Sequence, residues 1–381
     1  MTKQLVWYGP PYSYSGYAQH NRAMLFELHK RGWEIYLIPT EKHIPAGLIG
    51  QDILKSMTLN KHINPKQNIV LNLIPPPALP FYGKHTILFT TLESKTVHEG
   101  YLRRCKLFDE LWFPCLDNIK SFRAIGYPKK KLTYCPEGVY HDFWTPYGEM
   151  NKEYKNNKFT FFFNGDWSYR KGIDILINAY VKTFDSSDNV RLLMLTHYQG
   201  NDQIVSKFRI SQELDQFLSK IGKRNVPEIQ FIFTYLDDKD MPELFRSADV
   251  YVCPTRGEAW CLPIIQAMSC GVPAITSSWG GQTDFCNTSN SLMIKTDKFD
   301  TIHDKCDLHV DFYWYQKFCF PSEDHLSRLM KFAYNNPSYM RKLGERARKD
   351  VSTNFGWDKS GYIADRRLTK IYESRNFTSN V

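Results

Sequence analysis

Apolar and polar positions follow two periods along this chain: short apolar runs alternate with segments whose apolar residues recur at helical spacing. Residues 18–30 form the first such helical segment, with Ser15 or Gly16 placed to cap its start and Gly32 to end it. The apolar runs of the first part predict strands at residues 5–8, 34–38, 69–73, 86–89, 110–113 and 132–134. This alternation predicts a doubly wound parallel sheet.

The alternation starts again at Phe159, after a polar stretch at 147–158 that is rich in Lys and Asn and lacks apolar periodicity. Further strands are predicted at residues 190–195, 229–233, 250–253 and 272–276, and helices at 172–184, 203–220, 241–247, 324–334, 338–351 and 360–374. We therefore expect an α/β protein of two Rossmann-like domains that face a cleft. The boundaries are drawn at 1–150 and 151–357, with a C-terminal helix at 358–381.

Composition restricts the class of protein further. The 381 residues are 42% hydrophobic and 23% charged, as in soluble globular proteins. The net charge of +9 suits acidic partners such as nucleotide phosphates, anionic lipid or nucleic acid, although the one tight basic run, Lys129 to Lys131, is predicted to be a solvated loop. The nine cysteines form no C-x-x-C pair, which predicts a reducing compartment and no structural zinc. Without a signal peptide or a long apolar run, the chain is predicted to be cytoplasmic, with peripheral membrane contact allowed.

The stretch 249–284 has the strongest chemical pattern, because it predicts a strand, a loop, a short helix and a second strand. Pro263 suits the first turn of that helix and Gly271 the residue after its end. A helix N-terminus directs free N–H groups and a positive dipole at the preceding loop, an arrangement that binds phosphate. Glu258 lies just before the helix and Gln266 one turn inside it, so both can contact one ligand. The stretch predicts a site for an anion and a polyol.

A second loop, 164–172, also joins a predicted strand to a predicted helix. It carries Arg170 and Lys171, which alone would be an ordinary surface pair. Next to the Glu258 loop, at the carboxyl edge of one sheet, these cations are placed to hold a diphosphate. The loop at 9–16 lacks the G-x-G-x-x-G pattern, so a dinucleotide site is not supported.

These motifs resemble the donor-binding half of the retaining family 4 glycosyltransferases (glycosyl transferase group 1) of the GT-B fold. GDWSYRKG at 165–172 resembles their Gly-Arg-x-x-x-x-Lys-Gly loop, and RGEAWCLPIIQAMSCGVPAI at 256–275 resembles their Glu, seven residues, Glu stretch. The ending at 335–357 is similar to the closing helix of the family. The first half matches more weakly, through GPPYSYSGYAQHNR and TTLES. The resemblance covers almost the whole chain and implies that the C-terminal helix returns to the N-terminal domain.

The resemblance implies a transfer of a sugar from a nucleoside-diphosphate sugar to an acceptor hydroxyl, with retention and without a metal or other cofactor. Lys171 and Arg170 would bind the diphosphate, Glu258 the hydroxyls of the donor sugar, and Glu93 would lie beside the reacting sugar. Gln266 takes the place of the Glu that holds the ribose. The remaining donor-binding positions are Gly16, Asp166, Trp167, Tyr235, Leu236, Ala259, Trp260, Cys261 and Leu262.

Three departures from the family pattern affect these expectations. Asp166 stands where the family has Arg, and Arg170 is placed to compensate for it. Gln266 lacks the charge of the second Glu, so its bond to a ribose hydroxyl is weaker. Ala259 and Cys261 replace two glycines, which leaves the loop less conformational freedom. The D-x-D string at 238–240 is predicted to cap a helix rather than to bind a metal.

Several alternatives stay open at this point. The chain can be a non-catalytic protein of the same fold that binds nucleotide sugars, or a sugar phosphorylase or synthase. A hydrolase would use Glu258 and Glu93 as a pair of carboxylates. The acceptor can be a glycan, a lipid, a protein or a modified nucleic acid, and no pattern of basic and aromatic residues favours nucleic acid.

Overall fold

The computed structural model describes residues 2–44, 48–75, 79–198, 202–234, 236–302 and 313–374. They divide into two compact units: residues 1–92, 96–138 and 355–381 belong to the first, and 93–95 and 139–354 to the second. The chain thus passes from one unit to the other after residues 138 and 354, whereas the domain boundaries predicted from the sequence lie after residues 150 and 357. The three residues 93–95 belong to the second unit although the chain on both sides of them belongs to the first.

The first unit contains a parallel sheet. Its strands are β1 (Lys3–Gly9), β2 (Trp33–Pro39), β3 (Ile69–Leu73), β4 (His85–Phe89), β5 (Glu110–Phe113) and β6 (Leu132–Tyr134). They lie in the order β2-β1-β3-β4-β5-β6, and each neighbouring pair is parallel. All residues of β3, β4 and β5 are buried, as expected for strands covered on both faces. The predicted strands of this half are confirmed within a few residues.

The helices of the first unit are α1 (Gly16–Lys30), α2 (Gln51–Thr58), α3 (Glu99–Cys105), α4 (Leu116–Ala124) and, from the end of the chain, α11 (Trp357–Ser374). Ser15 caps α1, since its Oγ accepts from the N–H of Ala18 at 3.2 Å. The helix α11 packs on this unit through Asp365, which accepts from Lys3 Nζ at 2.9 Å and from Trp33 Nε1 at 2.8 Å. The C-terminal helix therefore packs on the N-terminal sheet domain, as the resemblance implied.

The second unit has a parallel sheet of the same size. Its strands are β7 (Phe159–Asn164), β8 (Val190–Leu195), β9 (Glu228–Ile232), β10 (Val250–Cys253), β11 (Ala274–Ser277) and β12 (Leu292–Ile294), in the order β12-β11-β10-β7-β8-β9. Its helices are α5 (Ile173–Thr183), α6 (Gln203–Ile221), α7 (Met241–Arg246), α8 (Leu262–Ser269), α9 (Glu323–Asn335) and α10 (Pro337–Asn354). The fold is thus two Rossmann-like α/β domains, as predicted.

A two-stranded antiparallel sheet follows β12, formed by β13 (Thr296–Thr301) and β14 (Lys317–Pro321). The sequence analysis did not predict this pair. Strand β13 reads TDKFDT, and its mixture of charged and polar residues has neither the apolar run nor the clean alternation of a strand. Among the described residues, no helix is both long and apolar enough to span a bilayer.

Candidate functional site

Two loops at the carboxyl edge of the second sheet form the site. One follows β7 and leads into α5, and the other follows β10 and leads into α8. The carbonyl of Arg170 joins them, because it accepts from the N–H of Arg256 at 2.7 Å and from Thr255 Oγ1 at 3.1 Å. Gly172 has φ +74, and a Cβ there would lie 2.1 Å from the carbonyl oxygen of Pro254. Only glycine permits this close approach, so the sequence fixes the two loops side by side.

The four predicted catalytic side chains lie together between these loops. Glu258 Oε1 accepts from Lys171 Nζ at 2.6 Å and from Arg170 Nη1 at 2.9 Å. Arg170 Nη1 is also 3.2 Å from Glu93 Oε1 and donates to the carbonyl of Gly257 at 2.7 Å. Two cations and two carboxylates therefore form one cluster, and Glu258 itself is buried with 6% of its surface exposed.

The charges in this cluster shift one another's protonation. Burial by itself would raise the pKa of Glu258, but the charges of Lys171 and Arg170 outweigh it and hold that pKa below its ordinary value. Burial raises the pKa of Glu93, and Arg170 offsets only part of this shift. The pKa of Lys171 lies above its usual range because the Glu258 charge outweighs burial. Glu258 is thus the ionised carboxylate of the pair, whereas Glu93 accepts a proton more readily.

Glu93 reaches the cluster because its backbone is fixed within the second unit. Lys95 donates its N–H to the carbonyl of Lys317 in β14 at 2.7 Å. A Cβ at Gly257 would lie 2.0 Å from the carbonyl oxygen of Glu93, so a glycine is needed there. The Glu93 carboxylate also accepts a hydrogen bond from Tyr313. Sequence reasoning missed the roles of Gly257 and Tyr313, since both depend on contacts between residues far apart in the chain.

Arg256 is a third residue that the sequence did not single out. Its Nη1 and Nη2 each lie 2.7 Å from a carboxylate oxygen of Asp174, and its guanidinium stacks 3.6 Å above the ring of Tyr169. The side chain is 3% exposed. A bidentate, stacked arginine of this kind positions the two loops and leaves the binding of anions to its neighbours Arg170 and Lys171.

The start of α8 is held by the turn after β11. The N–H of Gly281 donates to the carbonyl of Glu258 at 2.7 Å, and a Cβ at Gly281 would lie 2.0 Å from the carbonyl oxygen of Ala259. Cys261 occupies the N-cap position of α8 with φ 76, a left-handed conformation that costs a non-glycine residue about 1 kcal/mol or more. The loop therefore adopts a glycine-like conformation although a cysteine has replaced the glycine. Ala259, Cys261 and Leu262 are buried in it.

Other predicted donor-binding residues have diverse environments. Trp167 is buried among Phe217 and Phe231, and its Nε1 donates to Glu213 at 2.7 Å, so its ring packs in the core. Trp260 is buried with its ring 5.0 Å from that of Phe285. Gln266 is buried in α8, Asp166 Oδ1 lies 3.4 Å from His197 Nε2, and Leu236 is half-buried. Tyr235 lies outside the described residues.

Two further predictions concern Gly16 and the D-x-D string. Gly16 is the first residue of α1 in the first unit, where it is exposed and a Cβ would have open space around it. Asp240 occupies the N-cap position of α7, but its side chain makes no capping hydrogen bond. In the part of the chain that the structure describes, no group of three or more His, Cys, Asp or Glu side chains is placed to hold a metal ion.

Several known proteins are similar to this chain in sequence or in fold. Residues 149–311, which include Arg170, Lys171 and Glu258, match the model of the family described as glycosyl transferases group 1. Spore coat protein SA of Bacillus subtilis is 24% identical over 248 residues, which are 62% of this chain and 55% of that protein. O-antigen chain mannosyltransferase B of Escherichia coli is 46% identical over 117 residues, 30% of this chain and 27% of that protein.

The solved structures that are similar include HepE of Anabaena in complex with UDP and glucose. Its TM-score is 0.64 at 12% identity, and the match covers 97% of this chain and 100% of HepE, so it shows a common fold. The chain has the GT-B fold of these solved structures, and its residues 149–311 match the model of the glycosyl transferases group 1 family. It covers about half or less of the length of the two curated relatives named above.

Proposed function

We propose that this protein is a retaining glycosyltransferase that moves a sugar from a nucleoside-diphosphate sugar to an acceptor hydroxyl without a metal ion. The observation that carries the proposal is the cluster at the carboxyl edge of the second sheet. There Arg170 and Lys171 share the buried carboxylate of Glu258 next to the start of α8. A site with two cations and a helix N-terminus suits a diphosphate, and a fixed carboxylate suits the hydroxyls of a sugar.

Arg170 has hydrogen-bonding capacity left for a ligand. Its contacts with Glu258, Glu93 and the carbonyl of Gly257 all run through Nη1. A guanidinium has five N–H groups, so Nη2 can donate to a phosphate oxygen while Nη1 keeps its place. Lys171 has three rotatable donors and can bind Glu258 and a phosphate at once. We infer that the diphosphate is bound without dismantling the cluster.

The chemical step follows from this placement. The bond between the anomeric carbon and the diphosphate oxygen breaks while the bond from that carbon to the acceptor oxygen forms on the same face. The acceptor proton passes to the departing phosphate. Arg170 and Lys171 stabilise the negative charge that develops on the leaving group, which is the largest contribution the site can make. Glu258 orients the donor sugar through its hydroxyls, and Glu93 lies on the other side of Arg170, beside the reacting carbon.

The names of two similar proteins support a nucleoside-diphosphate hexose as the donor. One curated relative is a mannosyltransferase, and the HepE structure holds UDP and glucose. We therefore propose a hexose carried on a nucleoside diphosphate as the donor. A thermal-shift screen of UDP, GDP, ADP and their hexose conjugates tests this, because a ligand that binds the folded state must raise its melting temperature.

Release of nucleoside diphosphate with an acceptor panel then tests the transfer itself. Binding without any turnover would instead support the non-catalytic reading of this fold. Release of inorganic phosphate, or dependence on it, would indicate a synthase or phosphorylase. No stabilisation by any nucleotide or sugar nucleotide would contradict the proposed site.

Glu93→Gln is expected to separate binding from turnover. Removing the carboxylate 3.2 Å from Arg170 should tighten nucleoside diphosphate binding about fivefold, since such a charge contributes about 1 kcal/mol where its side chain is only 21% exposed. Turnover should fall by about 100-fold, because the carboxyl group beside the reacting carbon is lost. Titration calorimetry and a steady-state assay measure the two effects. Glu345→Gln, at an exposed position of the same unit, is the control. The same affinity and turnover in both variants would show that Glu93 is not part of the site.

Gln266→Glu is expected to be tolerated or to tighten donor binding. The side chain is buried in α8, and a carboxylate there would accept a charge-assisted bond from the ribose hydroxyls. We expect an affinity for the nucleotide sugar that is unchanged or raised by about tenfold, measured by calorimetry. A large loss of affinity in a variant with an unchanged melting temperature would show that the amide N–H₂ is itself used.

A further inference from the structure

One indole at the carboxyl edge of the second sheet has no part in the transfer proposed above. Trp279 lies between β11 and the 3-10 turn at Gly281–Asp284, and its side chain is half-buried. Its ring centroid lies 5.4 Å from that of Phe299 in β13, with the two rings nearly perpendicular. In the part of the chain that the structure describes, no group accepts a hydrogen bond from Nε1 of Trp279. The indole thus offers a polar N–H and an uncovered apolar area at an edge where ligands bind.

The loop that carries Trp279 is rigidly fixed. Gln282 Nε2 donates to the carbonyl of Trp279 at 2.8 Å and to that of Ser277 at 3.2 Å. Gly280 has φ +111, and a Cβ there would lie 3.1 Å from the carbonyl oxygen of Glu258. The indole is therefore one residue away from a backbone contact with the donor loop. An aromatic side chain that is already held in place loses little entropy when it binds a ligand.

Phe299 connects this indole with the segment that carries Glu93. Lys95 Nζ lies 3.4 Å from the centroid of the Phe299 ring, and the N–H of Lys95 bonds to β14. Glu93 precedes Lys95 by two residues. We call Trp279 and Phe299 the aromatic wall. The wall extends from the loop beside Glu258 to Lys95, and all of these residues belong to the second unit.

Hydroxyl groups adjoin the aromatic wall. Ser278 is exposed, and its Oγ lies 3.3 Å from Oγ1 of Thr296 at the start of β13. Hydroxyls of this kind both donate and accept hydrogen bonds, as the hydroxyls of a sugar do. The C–H groups on one face of a pyranose ring are weakly positive, so they pack on the negative face of an aromatic ring. An aromatic face with short hydroxyls beside it therefore suits a sugar.

Two lysines that adjoin Phe299 are engaged within the protein. Lys95 lies over the ring of Phe299, and Lys298 pairs with Asp300 at 2.7 Å. A nucleic-acid strand also stacks on aromatic rings, but it needs cations along its phosphates as well. The surroundings of the aromatic wall therefore favour a sugar over a nucleic acid.

We propose that the aromatic wall is the acceptor subsite and that the group which accepts the donor sugar is itself a pyranose. This inference rests on the proposed transfer and specifies its acceptor. One face of the acceptor ring packs on Trp279, its hydroxyls bond to Ser278 and Thr296, and one further hydroxyl lies beside Glu93. The oxygen of that hydroxyl forms the new bond to the anomeric carbon while the bond to the diphosphate breaks, and its proton passes to the departing phosphate.

The test is saturation-transfer NMR with the full chain and the methyl α- and β-pyranosides of glucose, mannose and galactose, each with and without UDP or GDP. Wild-type protein should transfer saturation to the ring C–H protons on one face of at least one pyranoside. Trp279→Ala should raise the Kd of that pyranoside about tenfold in a titration, because the apolar contact area is lost. Trp279→Tyr should restore most of the affinity, since a phenol ring also offers a flat face.

Two further variants locate the bound sugar. Tyr339→Ala removes a ring of α10 that is 47% exposed in the same unit, and it should bind the pyranoside like wild type. Glu258→Gln should also keep the pyranoside signal, because that carboxylate is assigned to the donor sugar. A signal that is lost in Glu258→Gln and kept in Trp279→Ala would place the pyranoside in the donor subsite and overturn the proposal.

Other results would overturn it as well: no saturation transfer to any pyranoside, an unchanged Kd in Trp279→Ala, an equal loss of affinity in Tyr339→Ala, or transfer to a single-stranded oligonucleotide in place of the sugars. The melting temperature of each variant is also measured with and without UDP and GDP. A ligand-induced shift in Trp279→Ala equal to that of wild type shows that the donor site is intact. If neither nucleotide stabilises wild type while a pyranoside binds at Trp279, the proposed transfer fails and the sugar subsite remains.

Discussion

Lys171→Ala is expected to lower turnover by about 100- to 1000-fold while leaving the fold in place. The ammonium lies 2.6 Å from Glu258 at the carboxyl edge of the sheet, where the diphosphate of the donor is proposed to bind. Removal of one fixed hydrogen-bond donor to a developing oxyanion lowers the turnover of an enzyme by about this factor. Glu258 keeps Arg170 at 2.9 Å and Thr255 Oγ1 at 3.3 Å, so its carboxylate does not become an unpaired buried charge.

The measurement is release of nucleoside diphosphate under saturating donor, with calorimetry for binding of the diphosphate alone. The turnover rate and the affinity for the diphosphate should both decrease, because Lys171 binds the leaving group before and after the sugar departs. Lys182→Ala is the matched control, since it breaks a Lys–Glu pair with Glu323 on the surface of the same unit. Near wild-type turnover in the Lys171 variant would mean that the cluster serves the structure alone.

The strands and helices around this site could be predicted from the sequence more completely than the contacts between them. Strands β7 and β10, the helices α5 and α8 and the glycine at 271 follow from apolar runs and from the chemistry of helix ends. Because the carboxyl ends of parallel strands lie at one edge, it also followed that Arg170, Lys171 and Glu258 would be neighbours.

What the sequence could not predict depends on contacts between distant segments. Residues 93–95 lie in the second unit because Gly257 leaves room for the Glu93 carbonyl and β14 accepts the N–H of Lys95. Strand β13 is polar, so no apolar periodicity predicted the β13–β14 sheet, whose strand β14 accepts the hydrogen bond from Lys95. The packing of Trp167 in the core could not be predicted for the same reason. In the sequence, a tryptophan in a loop looks the same whether its ring stacks on a ligand or packs against Phe231.

The protonation states of the two carboxylates also needed the structure. Glu93 and Glu258 are equivalent residues in the sequence, yet Arg170 and Lys171 both contact Glu258 and only Arg170 contacts Glu93. The pKa of Glu258 is consequently lowered and that of Glu93, dominated by burial, is raised. A hydrolase also needs two carboxylates in different protonation states, but here the guanidinium of Arg170 contacts both, 2.9 Å from Glu258 and 3.2 Å from Glu93.

Glu258→Gln is expected to abolish most transfer while preserving or tightening the binding of nucleoside diphosphate. The amide keeps the shape of the side chain, but it no longer neutralises Arg170 and Lys171, so more of their charge is available to a diphosphate. Turnover should fall by about 100- to 1000-fold, since the donor sugar loses the ionised acceptor of its hydroxyls. The free energy of unfolding should fall by about 3 kcal/mol, because Lys171 is left buried without a carboxylate.

Nucleoside diphosphate should restore this lost stability, and that restoration is what identifies a site built for a diphosphate. The melting temperature of the Glu258 variant is expected to rise more on addition of the ligand than that of wild type, because the ligand supplies the missing negative charge. Glu228→Gln breaks a surface pair with Lys158 at 2.6 Å and should show the wild-type shift. If the Glu258 variant were destabilised but gained no extra shift, the cations would not face the diphosphate, and the assignment of the donor site to this cluster would fail.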